Sequence, residues 1–328
     1  MKVVCFGEAL VDMLSSADGS CGNQNGSAGG AIEQFQKFPG GAPANAAVAV
    51  AKLGGDAYFA GMLGEDMFGR FLLQSLQREG VHTDYVRFTA AAKTGLAFVS
   101  LDAQGERSFE FYRPPAADLC FTRMDFHPDT FAGSGILHLC SNSLTEAEIA
   151  GTTGYAIERA RAAGWLVSFD VNLRHNLWAG GRADRQRVQT VAAMADVLKM
   201  SAEEFDYLSA GRSDYQRELL RSAQLLLITD GGRPLRWHSR GGQGSVTPPP
   251  VTTVDATAAG DAFIGGFIYQ LGRQQVAADT LGQWLDGSGF AEALAFACRC
   301  GAHAASLPGA FPSLPSQESL AAMFTHRS

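Results

Sequence analysis

The 328-residue chain lacks the features of several large classes of protein. It has no run of about 18–20 consecutive apolar residues, which a membrane-spanning helix requires. Its start is apolar but meets Glu8 and Asp12 too early for the core of a signal peptide. Basic residues number 26 against 33 acidic ones, so the basic face typical of nucleic-acid binding is not expected. These absences predict a cytoplasmic protein with neither a membrane nor a nucleic-acid partner.

Several signatures of known chemistry are also missing. The six cysteines form no CxxC pair and no zinc-ligand spacing, which predicts reduced thiols packed as small core residues. No lysine follows a glycine, so the P-loop signature Gly-x-x-x-x-Gly-Lys-Ser/Thr is excluded. The patterns His-Glu-x-x-His and Gly-x-Ser-x-Gly are absent, as is a Gly-x-Gly-x-x-Gly after a strand. A phosphate ligand would have to bind through another device.

Short apolar runs separated by helical patterns are what the chain does contain. From about residue 133 the runs lie at 136–140, 166–170, 197–200 and 225–229, with helical stretches such as 145–163 and 182–195 between them. This alternation predicts a parallel sheet covered by helices on both faces. A first strand is expected at 2–6, a small-residue helix from near Pro43 to Gly54, and apolar helices at 261–271 and 290–306.

Two further segments predict a second, smaller sheet and a loop. Residues 94–101 and 107–113 alternate polar and apolar side chains around the turn 102–105, which is typical of a β-hairpin. Residues 15–30 are rich in glycine, serine and asparagine and are expected to form a mobile surface loop.

The segment Ala258-Ala-Gly-Asp261 directly precedes the apolar helix 262–271. Small residues at a helix start leave backbone N–H groups exposed to an anion, which then needs no lysine. Asp261 would stand beside that anion, where a carboxylate could deprotonate a substrate hydroxyl. An equally good local interpretation is that Asp261 only caps the helix and interacts with its dipole.

A second polar constellation lies near the start of the chain. Gly40 and Gly41 allow close approach of a ligand to the backbone, and Asn45 follows in the first turn of a helix. Asp12 is predicted at the end of the first strand, where open α/β sheets bind ligands. A carboxylate, an amide and bare backbone suit sugar hydroxyls, although the glycine pair alone could be a simple turn.

These motifs together resemble the PfkB (ribokinase-like) carbohydrate kinase family, and within it the bacterial fructokinases. The motifs that carry the resemblance over the whole chain are Phe6-Gly-Glu-Ala-Leu-Val-Asp12, Gly40-Gly-Ala-Pro-Ala-Asn45, Phe111-Tyr-Arg113, Phe169-Asp-Val-Asn-Leu-Arg174 with Trp178, Thr229-Asp-Gly-Gly232 and Asp255-Ala-Thr-Ala-Ala-Gly-Asp261. The resemblance implies an α/β three-layer sandwich with a central, mainly parallel sheet. It further implies one kinase domain over residues 1–328, with a small β-sheet lid formed by segments near 12–40 and 94–113.

The resemblance also implies roles for individual residues. Asp261 would be the general base, with Ala259, Gly260 and the Asp261 backbone forming the anion hole and Ala258 beside it in the catalytic segment. The sugar would be held by Asp12, Gly40, Gly41, Asn45, Arg113 and Arg174, and the nucleotide by Thr229, Gly231, Gly232 and Glu204. A monovalent cation, expected to be K⁺, would be bound by Asp255, Thr257, Ala304, Gly309 and Ser313, while Mg²⁺ would accompany ATP. A homodimer through the lid is a further expectation.

Two departures from the family pattern matter for this assignment. Ala258 stands where the family usually has glycine, which costs on the order of 1–2 kcal/mol if the backbone there is left-handed. Ser201 stands where the family has the asparagine of Asn-x-x-Glu, while the glutamate remains as Glu204. The predicted activity is ATP-dependent phosphorylation of a small sugar, with fructose expected. The alternatives are 2-keto-3-deoxygluconate or another sugar as substrate, and a non-catalytic sugar- or nucleotide-binding protein.

Overall fold

A computed structural model describes residues 1–15, 34–101, 107–113 and 115–324. Most of the loop predicted at 15–30 therefore lies outside the described residues. The strands are β1 (Lys2–Phe6), β2 (Leu10–Ser15), β3 (Phe35–Gly40), β4 (Asp56–Gly64), β5 (Val86–Thr89), β6 (Leu96–Leu101), β7 (Arg107–Tyr112), β8 (Gly135–Cys140), β9 (Leu166–Asp170), β10 (Val197–Ser201), β11 (Leu225–Thr229), β12 (Leu235–Ser239) and β13 (Gln243–Val246). The α-helices are α1 (Ala42–Lys52), α2 (Met67–Arg78), α3 (Ala147–Ala162), α4 (Arg185–Ala192), α5 (Ala202–Ser209), α6 (Tyr215–Leu219), α7 (Ala259–Arg273), α8 (Leu281–Leu285), α9 (Ser288–Ala305) and α10 (Gln317–Phe324).

The large sheet has nine strands in the order β13-β12-β11-β10-β9-β8-β1-β4-β5. The seven strands β11, β10, β9, β8, β1, β4 and β5 are each parallel to their neighbours in this sheet, and β12 and β13 add an antiparallel edge next to β11. Every residue of β8 and β9 is buried. Burial on both faces explains why these strands read as continuous apolar runs and not as alternating ones.

Helices cover the large sheet on both faces, each with its own apolar core. One core joins α1, α2, α7, α8, α9 and α10 to the sheet, and the other joins α3, α4, α5 and α6 to it. Helices α1 and α7 approach closely, since a Cβ at Gly265 of α7 would lie 2.6 Å from the Cβ of Ala49 in α1. The predicted three-layer α/β sandwich is confirmed.

A separate sheet of four strands, in the order β3-β2-β6-β7, contains the predicted hairpin as its antiparallel pair β6 and β7. We call it the small sheet. It corrects the position of Asp12, which lies within β2 and not at the end of the first strand. The chain leaves the large sheet after Phe6, and Gly7 has a φ of 145°, a value that side chains rarely allow. Leu10 then begins β2, so Asp12 reaches the site from the small sheet.

Two predictions about what the chain lacks can be compared with the described residues. No helix among them is both long and apolar enough to cross a membrane. The described cysteines, at positions 5, 120, 140, 298 and 300, have free thiols, and all but Cys120 are buried. Cys21 lies outside the described part of the chain.

Candidate active site

Two cavities meet at the N-terminus of α7. The first has a volume of about 510 Å³ and is lined by residues from the small sheet, the start of α1 and the start of α7. The second has a volume of about 440 Å³ and lies towards the end of β11 and helix α9. Ala256 and Gly260 line both cavities. We call the first the acceptor cavity and the second the donor cavity.

Ala258 sets the geometry of this junction. It is the N-cap of α7 and is left-handed, with φ 59° and ψ 5°. The N–H of Ala259 donates to the carbonyl of Ala256 at 3.2 Å, so it is already engaged. The anion hole expected from 258–261 therefore narrows to the N–H groups of Gly260 and Asp261, which are too near the helix start to have intrahelical acceptors.

The left-handed backbone of Ala258 gives a testable stability effect. The substitution Ala258→Gly removes a strain of roughly 1–2 kcal/mol from the folded state. This gain is partly offset by about 0.5–1 kcal/mol, because glycine has greater conformational freedom in the unfolded chain. We expect a net stabilisation of about 1 kcal/mol in urea unfolding, without loss of activity. Ala210, with φ 51° at the end of α5, is the matched control, because Ala210→Gly should stabilise equally. Stabilisation by Ala210→Gly but not by Ala258→Gly would contradict this reading of α7.

Asp261 stands in the first turn of α7 and is hydrogen-bonded across the acceptor cavity. The Nδ2 of Asn45, in the first turn of α1, donates to Oδ2 of Asp261 at 2.7 Å. Burial raises the pKa of Asp261, while the Asn45 hydrogen bond and the charges of Lys199 and Arg174 act in the opposite direction. Asp261 is therefore a half-buried, oriented carboxylate at the point where the two cavities meet.

Lys199 is a residue of the site that the sequence motifs missed. Its Nζ forms a buried ion pair with Oδ2 of Asp170 at 2.9 Å, and a Cβ at Gly260 would lie 2.8 Å from the same Nζ. The ammonium group thus lies against the helix start, where it adds positive charge beside the junction. The available signal was a lysine inside the apolar run 197–200, which predicts a buried partner of opposite charge.

The predicted sugar-binding residues on the N-terminal side meet in the acceptor cavity. Asp12, Gly41 and Asn45 line it, as does Arg174. Gly40 does not, but a Cβ on it would collide with Oδ2 of Asp12, so its role is to leave room for that carboxylate. Gly41 is the N-cap of α1 with φ 104°, which brings its backbone to the cavity wall.

Arg113, which is predicted to contact the sugar, lies outside the lining of the acceptor cavity. Its side chain is buried, and Nε donates to Oδ2 of Asp118 at 2.8 Å while Nη2 donates to the carbonyl of Asn142 at 2.9 Å. A buried guanidinium needs such partners, and they fix it here. In this position Arg113 holds Asp118 and the carbonyl of Asn142 in place through its hydrogen bonds.

The carboxylate of Glu204, predicted to bind the nucleotide, is hydrogen-bonded to backbone N–H groups of the protein. Its Oε1 accepts from the N–H of Leu173 at 2.6 Å and its Oε2 from the N–H of Ser201 at 2.7 Å. Ser201 in turn accepts from the N–H of Glu204, which completes a capping box at the start of α5. Glu204 lines neither cavity, so the structure gives it a local role in fixing the chain after β9 and β10.

Three of the four predicted nucleotide residues line the donor cavity. Thr229 ends β11, and Gly231 and Gly232 follow it in the turn before β12. The three consecutive prolines 248–250 also line this cavity. The sequence motifs had not indicated these prolines.

Two of the residues predicted to bind a monovalent cation contact the buried carboxylate of a third, Asp255. It accepts from the N–H of Thr257 at 2.8 Å through Oδ1 and from the N–H of Gly309 at 3.0 Å through Oδ2. The carbonyl groups of the other two, Ala304 and Ser313, already take part in hydrogen bonds. A carboxylate with neighbouring carbonyl and hydroxyl oxygens is a donor set that suits a hard cation such as K⁺.

The decrease of kcat/KM at low pH should reflect protonation of the carboxylates of Asp12 and Asp261. Burial raises the pKa of Asp12 to about 7, helped by the charges of Asp261 and Asp255 and opposed by Arg174. Burial also raises the pKa of Asp261, against the charges of Lys199 and Arg174. A base must be deprotonated, so kcat/KM should be maximal above these pKa values and fall as the pH decreases through them.

We therefore expect the pH profile of kcat/KM to turn down above the ordinary aspartate value of about 4, because the pKa of Asp261 is raised and that of Asp12, which binds the sugar, is raised to about 7. The measurement is kcat/KM between about pH 5 and pH 9 in constant ionic strength. A profile that stays flat down to about pH 5 would contradict the account of a buried, mutually interacting pair.

Comparison with known proteins agrees with this geometry. The family described as pfkB family carbohydrate kinase matches residues 1–317. Probable fructokinase-6, chloroplastic, of Arabidopsis thaliana is 38% identical over 323 residues, covering 97% of this chain and 81% of that protein. The structure of the fructokinase from Xylella fastidiosa with bound ATP has a TM-score of 0.91 at 42% identity, covering 99% of this chain and 98% of that one.

A second solved structure is similar along almost its whole length. It is a double mutant of the fructokinase from Vibrio cholerae O395 in a fructose, ADP and potassium ion bound form. Its TM-score is 0.82 at 33% identity, and the match covers 98% of this chain and 97% of that one.

Proposed function

Because the chain belongs to the pfkB family of carbohydrate kinases, we propose that it transfers the γ-phosphoryl group of ATP to a primary hydroxyl of fructose. The observation that carries the proposal is the meeting of two cavities at the start of α7, with Asp261 between them. The fructokinases of Xylella fastidiosa with ATP and of Vibrio cholerae with fructose and ADP support the two ligands.

The reaction follows from the positions of the groups at the junction. The sugar hydroxyl lies beside Asp261, which takes its proton as the oxygen attacks the γ-phosphorus and the bond from that phosphorus to the β–γ bridging oxygen breaks. The N–H groups of Gly260 and Asp261 stabilise the negative charge on the transferring group. Lys199 lines neither cavity, and its ammonium group adds positive charge through its position against Gly260. ADP and the sugar phosphate are the products.

The cofactors are assigned from the donor chemistry of the chain. Mg²⁺ would accompany ATP and supply positive charge to its phosphates, and Glu204, whose carboxylate oxygens accept from backbone N–H groups, would not be a direct ligand. Asp255, with Thr257, Ala304, Gly309 and Ser313 as the other members of the set, would hold K⁺. Its effect is to stabilise the loop before α7, which a comparison of activity with and without potassium would measure.

A neutral sugar fits the charge of the acceptor cavity better than a sugar acid does. Among the described residues, the acidic side chains of Glu8, Asp12, Asp255 and Asp261 line it, against the single basic side chain of Arg174. A substrate carboxylate would add a like charge to this surface without an additional cation to pair with it. This observation favours fructose over 2-keto-3-deoxygluconate.

The test is ADP release with a panel that includes fructose, other hexoses and 2-keto-3-deoxygluconate. We expect the highest kcat/KM with fructose and the lowest with the sugar acid. A higher kcat/KM with the acid would overturn the substrate assignment. Binding of fructose without any consumption of ATP would overturn the enzymatic function in favour of a sugar-binding protein.

The small sheet is proposed to act as a lid over the sugar and to pair with a second copy. Phe35 and Tyr112 are 38% and 58% exposed, and both rings contact Phe98. Exposed aromatic side chains on a sheet of four strands suit an interface. Sedimentation equilibrium should give the mass of a dimer.

We propose that the enzyme acts in the cytoplasm, which subcellular fractionation tests.

A further inference from the structure

A second polar pair lines the acceptor cavity: Glu8, from the first of the family motifs, and Asn142, which belongs to none of them. Asn142 lies in the 3₁₀ turn Ser141–Leu144 directly after β8, and Glu8 lies between β1 and β2. Both line the cavity, and both side chains are otherwise buried, with exposures of 5% and 2%. The Nδ2 of Asn142 donates to Oε1 of Glu8 at 2.9 Å.

Glu8 fixes which way the amide of Asn142 faces. Its Oε1 accepts the N–H of Ala42 at 3.2 Å as well as Nδ2 of Asn142. Because Oε1 accepts two donors, it acts as an acceptor whether or not the carboxyl group carries a proton on its other oxygen. The amide nitrogen must therefore face Glu8, and Oδ1 of Asn142 must face away from it.

That oxygen has no hydrogen-bond partner among the described residues. A buried acceptor without a donor is destabilising, and native structures rarely retain one without a functional reason. The carbonyl oxygen of Asn45, a sugar residue of the family motif, is in the same situation, since its Nδ2 is used by Asp261. In both residues the Nδ2 group donates to a carboxylate, and the Oδ1 atom has no donor among the described residues. Both residues line the cavity.

We propose that Asn142 is a specificity-determining residue whose Oδ1 accepts a hydrogen bond from one hydroxyl of the sugar, in an orientation set by Glu8. The inference rests on the proposed function, because it assigns a further contact to the same acceptor cavity. Glu8 is then a positioning residue, and Arg113 supports it from behind as a neighbouring positive charge. A sugar hydroxyl supplies the missing donor, whereas a deoxy sugar leaves Oδ1 unpaired.

The test combines deletion of the amide with deletion of single hydroxyls. The wild type and Asn142→Leu are assayed with fructose and with each of its monodeoxy analogues that retains the reacting primary hydroxyl. One hydroxyl deletion should lower kcat/KM of the wild type by about 5- to 10-fold, and the same deletion should lower that of Asn142→Leu by less than about 2-fold. With intact fructose, Asn142→Leu should raise KM by about 10-fold and leave kcat almost unchanged.

Two further variants keep the test decisive. Asn142→Ala replaces the leucine variant if that protein does not fold. Asn142→Asp should restore the loss on hydroxyl deletion, because two adjacent carboxyl groups share a proton and leave one acceptor oxygen where Oδ1 stood. Equal losses on every hydroxyl deletion in the wild type and in the active variants would overturn the inference alone. A wild type that phosphorylates no sugar would overturn the proposed function and the inference with it.

Discussion

Asp261→Asn should lower kcat by about 10²–10⁴-fold, the range that a positioned general base contributes. The asparagine can still accept the hydrogen bond that Nδ2 of Asn45 donates at 2.7 Å, so the side chain should keep its place. It cannot take a proton from the sugar hydroxyl. The dissociation constant for fructose, measured by calorimetry, should therefore change only a few-fold while turnover is lost.

Asp12 provides the matched control for this substitution. It is a second half-buried carboxylate of the same cavity, approaching from β2, and its predicted role is to bind the sugar. Asp12→Asn should act mainly on KM, whereas Asp261→Asn should act mainly on kcat. An Asp261→Asn enzyme with kcat within a few-fold of the wild type would leave Asp261 as a helix cap and remove the base from the account.

Lys199→Met should destabilise the fold by about 3–5 kcal/mol, the effect of removing one partner of a buried ion pair. Both side chains are buried, with 6% exposure for Lys199 and 1% for Asp170. The Oδ1 of Asp170 has no hydrogen-bond partner among the described residues, and Oδ2 contacts Nζ of Lys199. Methionine would leave this carboxylate buried without its cation. Urea unfolding measures the loss.

The double variant Asp170→Asn/Lys199→Met shows whether Lys199→Met loses stability because Asp170 lacks its cation or because the side chains pack less well. Removing both charges should recover most of the lost stability, because no uncompensated charge remains buried. Its kcat should stay low, since the ammonium group beside Gly260 is still missing. A single variant that loses less than about 1 kcal/mol would show that Asp170 does not depend on Lys199.

The sequence predicted the large sheet well because its signals are local. Strands such as β8 and β9 are buried on both faces, so they appear as apolar runs, and Gly54 marks the end of α1. The order of the motifs then indicated which ends of these elements would carry polar side chains. The cavity around Asp261, Asn45 and Asp12 follows from those motifs.

What the sequence could not show are contacts between residues far apart in the chain. The parallel pairing of β2 with β6 places Asp12 on the small sheet, and no period in residues 1–15 reveals that partner. The approach of Lys199 to Gly260 and of Asn142 to Glu8 depends on the packing of whole elements. The position of Arg113, turned onto Asp118 and the Asn142 carbonyl, depends on the same packing.

The most direct test of the central claim is to count both products of one reaction. Fructose labelled with ¹³C at its primary carbons is incubated with ATP, and ADP and the phosphorylated sugar are quantified by NMR. We predict one sugar phosphate for each ADP, phosphorylation at a primary carbon, and formation of both products at least about 10²-fold more slowly with Asp261→Asn. ADP formed without sugar phosphate, or equal transfer by the wild type and Asp261→Asn, would contradict the account.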